Sequence, residues 1–119
     1  MKRVDFMLEY LKLEKFSFSY VPQILEIKVE ENRATLINCY KEKRLTESQS
    51  KELLEKLESF QISSWKRHYE LQDLQVLDGE KWELNYKEVE KSNIRIKGNN
   101  AYPEVWENLL KVLEECFEI

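Results

Sequence analysis

The chain has 119 residues, 42% of them hydrophobic and 12% aromatic, with 19 Lys and Arg against 23 Asp and Glu for a net charge of -4. That length and apolar content fit a single domain over residues 1–119 with its own core, and exclude a disordered chain. A mildly acidic whole is poor material for non-specific binding to phosphate backbones, and no stretch approaches the roughly 20 apolar residues of a membrane span.

Val4, Phe6, Leu8 and Tyr10 alternate with polar residues including Asp5 and Glu9, and this period of two predicts a half-buried strand. The same stretch also fits a helical stripe through Met7 and Leu11. Phe16, Phe18 and Tyr20 alternate with Ser17 and Ser19, predicting a second short strand that stops before Pro22. Leu25, Ile27 and Val29 form the next apolar face, and Ala34, Leu36, Asn38 and Tyr40 the one after it. A two-residue loop at Glu31-Asn32 sets Val29 against Ala34 and Ile27 against Leu36, keeping apolar opposite apolar. A three-residue loop would set Lys28 against Leu36, so the register favours the shorter turn.

Thr46-Glu47-Ser48-Gln49 is a capping box: the Thr46 hydroxyl accepts from the Gln49 amide while the Gln49 side chain reaches back. Leu53, Leu54, Leu57 and Phe60 mark one face of the helix that follows, which is expected to end near Phe60. Trp65, Arg67, Tyr69 and Leu71 then share one parity, and Leu74 and Val76 the other, which implies a bulge or break at Gln72-Asp73. Asp78-Gly79 reads as a hairpin turn before Trp82, Leu84 and Tyr86, and Ile94 and Ile96 make a last strand. Gly79 and Gly98 fall at strand ends, where a positive φ is expected to be useful. A second helix opens at Pro103 and carries a stripe of Trp106, Leu109, Leu110, Leu113, Cys116 and Phe117.

Strands, helix, strands, helix in series predict an α+β domain: an antiparallel β-sheet with two helices packed on one face. The other face then carries Lys66, His68, Glu70, Lys81, Glu83, Asn85, Arg95 and Lys97. Of these, Lys66, His68, Lys81, Glu83, Arg95 and Lys97 form the candidate binding face.

The run Trp65, Tyr69, Asp78-Gly79, Trp82, Leu84, then Gly98, Asn100, Ala101, Tyr102 and Pro103 before an amphipathic helix resembles a pattern in a family of small uncharacterised bacterial proteins. It covers roughly residues 62 to 117, and the resemblance implies the same fold and a bacterial origin but no activity. The excess of Lys over Arg, 14 to 5, also suggests an AT-rich bacterial genome.

Catalytic chemistry finds little to build on. His68 is the only histidine and sits on the polar parity of its strand. A serine or cysteine nucleophile needs a base within reach, and Cys39 and Cys116 both lie in apolar patterns that predict buried, reduced thiols. There is no CxxC, HxxxH or EF-hand spacing, so no metal is expected. Two glycines in the whole chain cannot write a phosphate-binding loop, so no cofactor is expected either. Trp65-Lys66-Arg67-His68-Tyr69 mixes basic and aromatic residues as nucleic-acid surfaces do, but alternation sends Trp65 and Tyr69 to the core side, leaving bases nothing to stack on. No secretory signal is read, because Asp5 and Glu9 interrupt the apolar run after Lys2 and Arg3. The expectation is a non-enzymatic binding or interaction protein of a bacterial cytoplasm, acting on a protein partner or on a second copy of itself. A small enzyme with an unassigned cleft and a nucleic-acid binder are the alternatives.

Overall fold

The structure is a computed structural model, which describes residues 6–17, 22–39, 41–70 and 80–119. It is an α+β arrangement of seven strands and two helices. In chain order these are β1 (Leu8–Ser17), β2 (Gln23–Glu30), β3 (Arg33–Asn38), β4 (Lys41–Arg44), α1 (Glu47–Ser59), β5 (His68–Glu70), β6 (Glu80–Glu88), β7 (Ile94–Asn99) and α2 (Trp106–Phe117). A single 3-10 turn over Ile62–Ser64 lies between α1 and β5. The strands form one sheet in the order β4-β3-β2-β1-β6-β7-β5. Every pairing is antiparallel except that of β5 with β7, which is parallel.

Local chemistry accounts for the β2–β3 hairpin and for α1. Glu31 and Asn32 both take positive φ, 51° and 63°, as a two-residue turn matched to strand twist demands. The register that results pairs Val29 with Ala34 and Ile27 with Leu36. Thr46 Oγ1 accepts from the Gln49 amide at 3.1 Å and Gln49 Oε1 accepts from the Thr46 amide at 3.1 Å, completing the capping box. The helix ends at Phe60, where Gln61 turns left-handed with φ 51°.

The N-terminal strand differs from the two short ones expected. One strand runs unbroken from Leu8 to Ser17, and its register with β6 shifts between Leu8 and Tyr10. That irregularity lets Leu8 stay buried while Leu11 and Leu13 take over the core parity beyond it. Tyr10, Lys12, Glu14 and Phe16 are thereby turned to the polar face. Glu58 of α1 holds the start of the strand, its Oε1 accepting from the Met7 and Leu8 amides at 2.5 and 3.2 Å. Val4, Phe18, Tyr20, Leu74, Val76 and the Asp78-Gly79 turn lie outside the described residues.

The strand side chains of core parity join residues of both helices in one cluster. Leu11, Leu13, Ile27, Leu36, Leu84 and Ile96 are buried with Leu54 and Leu57 of α1 and Leu109 and Leu113 of α2. Ser50, the one buried polar residue described, accepts from the Ala34 amide at 2.9 Å and so ties α1 to β3. Burial of this kind is worth roughly 1.5–3 kcal/mol for each large aliphatic side chain.

Four aromatic rings cluster at the other end of the core, Trp82 and Trp106 buried, Tyr69 half-buried and Tyr102 at the surface. Trp82 lies 4.3 Å from Trp106, 5.9 Å from Tyr69 and 6.3 Å from Tyr102, ring centre to ring centre. Its indole N–H donates to the Ala101 carbonyl at 3.0 Å. Gly98 serves this cluster and not a turn, since its φ is not positive. A Cβ at Gly98 would stand 2.0 Å from Trp82 Nε1, so only glycine leaves room for the indole. The left-handed residue is instead Asn100, with φ 54°, whose amide and side chain exchange hydrogen bonds with Glu80 at 3.0 and 2.9 Å. Pro103 precedes the helix by a turn: its carbonyl accepts from the Trp106 amide, and α2 begins there and not at the proline.

Two substitutions test the fit between ring and glycine. Gly98→Ala should cost about 1–3 kcal/mol through overpacking, and Trp82→Ala about 3–5 kcal/mol through lost burial. In the double variant the added methyl group meets no ring, so the two losses, measured by urea unfolding, should sum to clearly more than the double variant loses. Full additivity would show that the contact does not govern the position.

Candidate functional site

The polar face of the sheet is built by register. One row across it runs Glu70, Asn99, Lys81 and Phe16, and the next runs His68, Lys97, Glu83 and Glu14. A third runs Arg95, Asn85, Lys12, Glu26, Ile37 and Glu42. Alternation along each strand sends these side chains away from the buried parity that carries Trp82, Leu84 and Ile96.

Of the six residues expected on this face, five are there. His68 is on β5, Lys81 and Glu83 on β6, and Arg95 and Lys97 on β7; all are exposed except Glu83, which is half-buried. Lys66 is exposed but lies before β5, outside any strand. Phe16, Asn99, Lys12 and Tyr10 join the face without having been expected there. The missed signal was the change of parity after Tyr10, where Leu11 and Leu13 take the apolar role from Leu8. Trp65 and Tyr69 are half-buried on the core side, as the alternation predicts, and the Trp65 indole donates to the Phe60 carbonyl at 3.0 Å.

Most of the charge on this face is compensated in place. Arg95 donates to Glu83 through Nε at 2.7 Å and Nη2 at 2.6 Å, and Lys97 approaches the same carboxylate at 3.9 Å. Lys12 lies 3.4 Å from Glu14 and 3.8 Å from Glu26, Lys87 pairs with Glu9, and His68 Nε2 is 3.4 Å from Glu70. Among the described residues Lys81 makes no ion pair. A depression of about 370 Å³ opens at this corner of the sheet, with Phe16, His68, Lys81, Glu83, Lys97 and Asn99 among its walls. Phe16 retains 37% of its exposure there.

The two sheet edges are guarded differently from the face. β4 is only Lys41–Arg44, every residue charged and exposed, and β5 is three residues long. Short or charged edges resist pairing with another strand. Among the described residues no three His, Cys, Asp or Glu side chains group as a metal site requires, and no helix is long and apolar enough to cross a membrane.

The cysteines depart from expectation at one position. Cys39 is exposed, in the turn that follows β3, with φ 55°. The apolar alternation of β3 ends at Asn38, so Cys39 inherits no place in the core. Cys116 is half-buried on α2, and burial pushes its thiol up to about 12. A thiol held so high is almost wholly protonated at neutral pH, and the thiolate is the reactive form. A disulfide-exchange reagent at neutral pH without denaturant should therefore label one thiol per chain promptly. Peptide mapping should locate the label at Cys39; equal labelling of both would contradict the burial of Cys116.

Three tyrosines resist ionisation. Burial, then the neighbouring Glu26, pushes Tyr10 from 10.0 to about 12, while burial, then Glu80, does the same for Tyr102. Tyr86 is raised further still, chiefly by burial and by Glu88. Folded values above the unfolded one mean that the neutral phenols contribute stability in full below about pH 10, and that this is lost as pH rises toward 12. Phenolate absorbance from Tyr10, Tyr86 and Tyr102 should rise late and in step with alkaline unfolding. Phenolate formation by these three near pH 10, with the fold intact, would refute the assignment.

No protein-family model, no curated protein and no solved structure matches this chain.

Proposed function

We propose that this chain is a non-enzymatic binding protein of a bacterial cytoplasm and that it works through the polar face of its sheet, at the corner of β1, β6, β7 and β5. The observation that carries this is Phe16: a large apolar ring, 37% exposed, standing across the strand pair from Lys81 beside a depression. An exposed aromatic side chain among charged and polar neighbours is where interfaces concentrate their binding energy. Both helices are taken to cover the opposite face. Two contacts on the buried parity support that: the Ala34 amide bonded to Ser50 of α1, and Trp82 packed at a tilt against Trp106 of α2. The guarded edges favour a partner other than a second copy pairing strand to strand.

A backbone-tracking nucleic-acid surface is the weaker reading. Tyr10 and Phe16 do supply aromatic rings on this face, but Glu83, Glu14, Glu26 and Glu9 neutralise Arg95, Lys97, Lys12 and Lys87 where they stand. A phosphate chain needs uncompensated cations in series.

The test is an amide-resolved spectrum of the isotopically labelled protein, recorded with the small-molecule and the macromolecular fractions of a bacterial extract. Binding through this corner should shift Phe16, His68, Lys81 and Lys97 with one of the two fractions. It should leave exposed α1 residues such as Glu55 unmoved. Shifts confined to the helices, or none with either fraction, would overturn the assignment of the surface.

A further inference from the structure

Resting on that reading of the corner, we infer that its ligand is a small planar anion: an aromatic or heteroaromatic ring bearing one carboxylate or phosphate group. Charge, donors, shape and size each narrow the class.

The Lys and Glu side chains lining the depression are Lys81 and Lys97 with Glu70 and Glu83, and they balance. Lys97 shares Glu83 with the adjoining Arg95, so Lys81 is the lining lysine with no ion pair among the described residues. The uncharged hydrogen-bonding group across the strand pair from Lys81 is Asn99. Asn99 Oδ1 already accepts from Asn100 Nδ2 at 3.4 Å, which leaves its NH₂ group to donate. Asn99 is the cross-strand partner of Lys81, so the amide and the ammonium stand side by side. A single anionic group suits this pair: the ammonium supplies charge and the amide a directed donor.

Phe16 is the other cross-strand partner of Lys81, on the opposite side from Asn99. A ligand whose anion sits between Lys81 and Asn99 is about one and a half strand spacings, roughly 7 Å, from the Phe16 strand, so an attached ring spans the gap and has Phe16 as a wall to stack on. Offset stacking on an exposed ring favours a flat partner over an aliphatic one. The depression, at about 370 Å³, falls at the lower end of small-molecule sites. Extension to a polymer is opposed by the next rows, where Glu14 and Glu26 hold Lys12.

The experiment is titration of the intact chain, followed by amide shifts, with phenyl phosphate, phenylacetate, inorganic phosphate, acetate and the neutral phenylacetamide as probes. At least one of the two aromatic anions should saturate the Phe16, Lys81 and Asn99 amides. Acetate, inorganic phosphate and phenylacetamide should each bind at least about tenfold more weakly, the loss of one good contact. Whichever aromatic anion binds tighter identifies the anionic group. Lys81→Gln and Phe16→Ser, both surface changes that should leave the remaining spectrum intact, should each weaken the better probe by about tenfold or more. The inference is overturned if neither aromatic anion saturates these amides up to its solubility limit. Equal binding of phenylacetamide, or an unchanged affinity in Lys81→Gln, overturns it too. Corner shifts with the macromolecular extract alone, and no aromatic-anion binding, would defeat this ligand class while the surface assignment stands. Aromatic-anion binding with no extract shifts at the corner would uphold the chemistry and defeat the surface as the working one.

Discussion

The indole of Trp82 lying on Gly98 is the contact around which this molecule is organised. Gly98 is on β7 and Trp82 on β6, so the contact fixes how two adjacent strands present their faces at one end of the sheet. From that ring the order spreads outward. Trp106 brings in α2, Tyr69 brings in β5, and the Ala101 carbonyl brings in the loop between β7 and α2. The same two residues border the depression on the opposite face. A rigid, close-packed floor is what a small site needs to hold its side chains in place. Trp82, Gly98, Asn100, Ala101 and Tyr102 are thus tied together by one packing arrangement. Their spacing records a packing solution.

The polar face obeys a different constraint. Cross-strand neighbours stand close, so a wide sheet bearing only one sign of charge would repel itself. Placing Glu83 between Arg95 and Lys97, and Glu14 and Glu26 around Lys12, answers that requirement. Exposed pairs of this sort contribute little stability, typically about 0.2–1 kcal/mol each. Their larger effect is selective, because they spend much of the face's positive charge internally and leave Lys81, with Lys28 and Arg44 farther across the sheet, without an ion pair among the described residues. On the proposed reading, selectivity for a compact anion over an extended one would follow from where the carboxylates sit as much as from where the lysines do.

How much of this was legible in the sequence depends on how far each decision reaches. The Glu31-Asn32 hairpin and the Thr46 capping box are settled within a few residues, by parity and by side chains facing their own backbone, and both were readable. The burial of Trp82 and Trp106 followed from two independent periodic patterns. The shift between Leu8 and Tyr10 was not readable, because nothing local separates a strand that slips its register from two strands with a break. That one irregularity hid Phe16 from the candidate face. The parallel pairing of β5 with β7 was equally out of reach, since it is imposed by the path through α1 and by the aromatic cluster under Tyr69. Gly98 was recognised as special for the wrong reason: sequence marks a glycine, but the ring that excludes its Cβ lies 16 positions away.

The strand order also dictates a sequence of events during folding. The first four strands pair in the order in which they are made, so that half of the sheet can assemble by local encounters. The seam with β6 cannot: β1 meets partners that are 63 residues away at Ser17–Glu80 and 80 away at Leu8–Glu88. Closing such a span costs chain entropy before any contact returns it, and non-local pairing of this kind slows folding. Until β6 emerges, β1, the longest strand among the described residues, leaves one edge open, with Leu11 and Leu13 beside it. A nascent chain halted after α1 therefore exposes a ten-residue template for mispairing, and completion of β6 is the step that retires it.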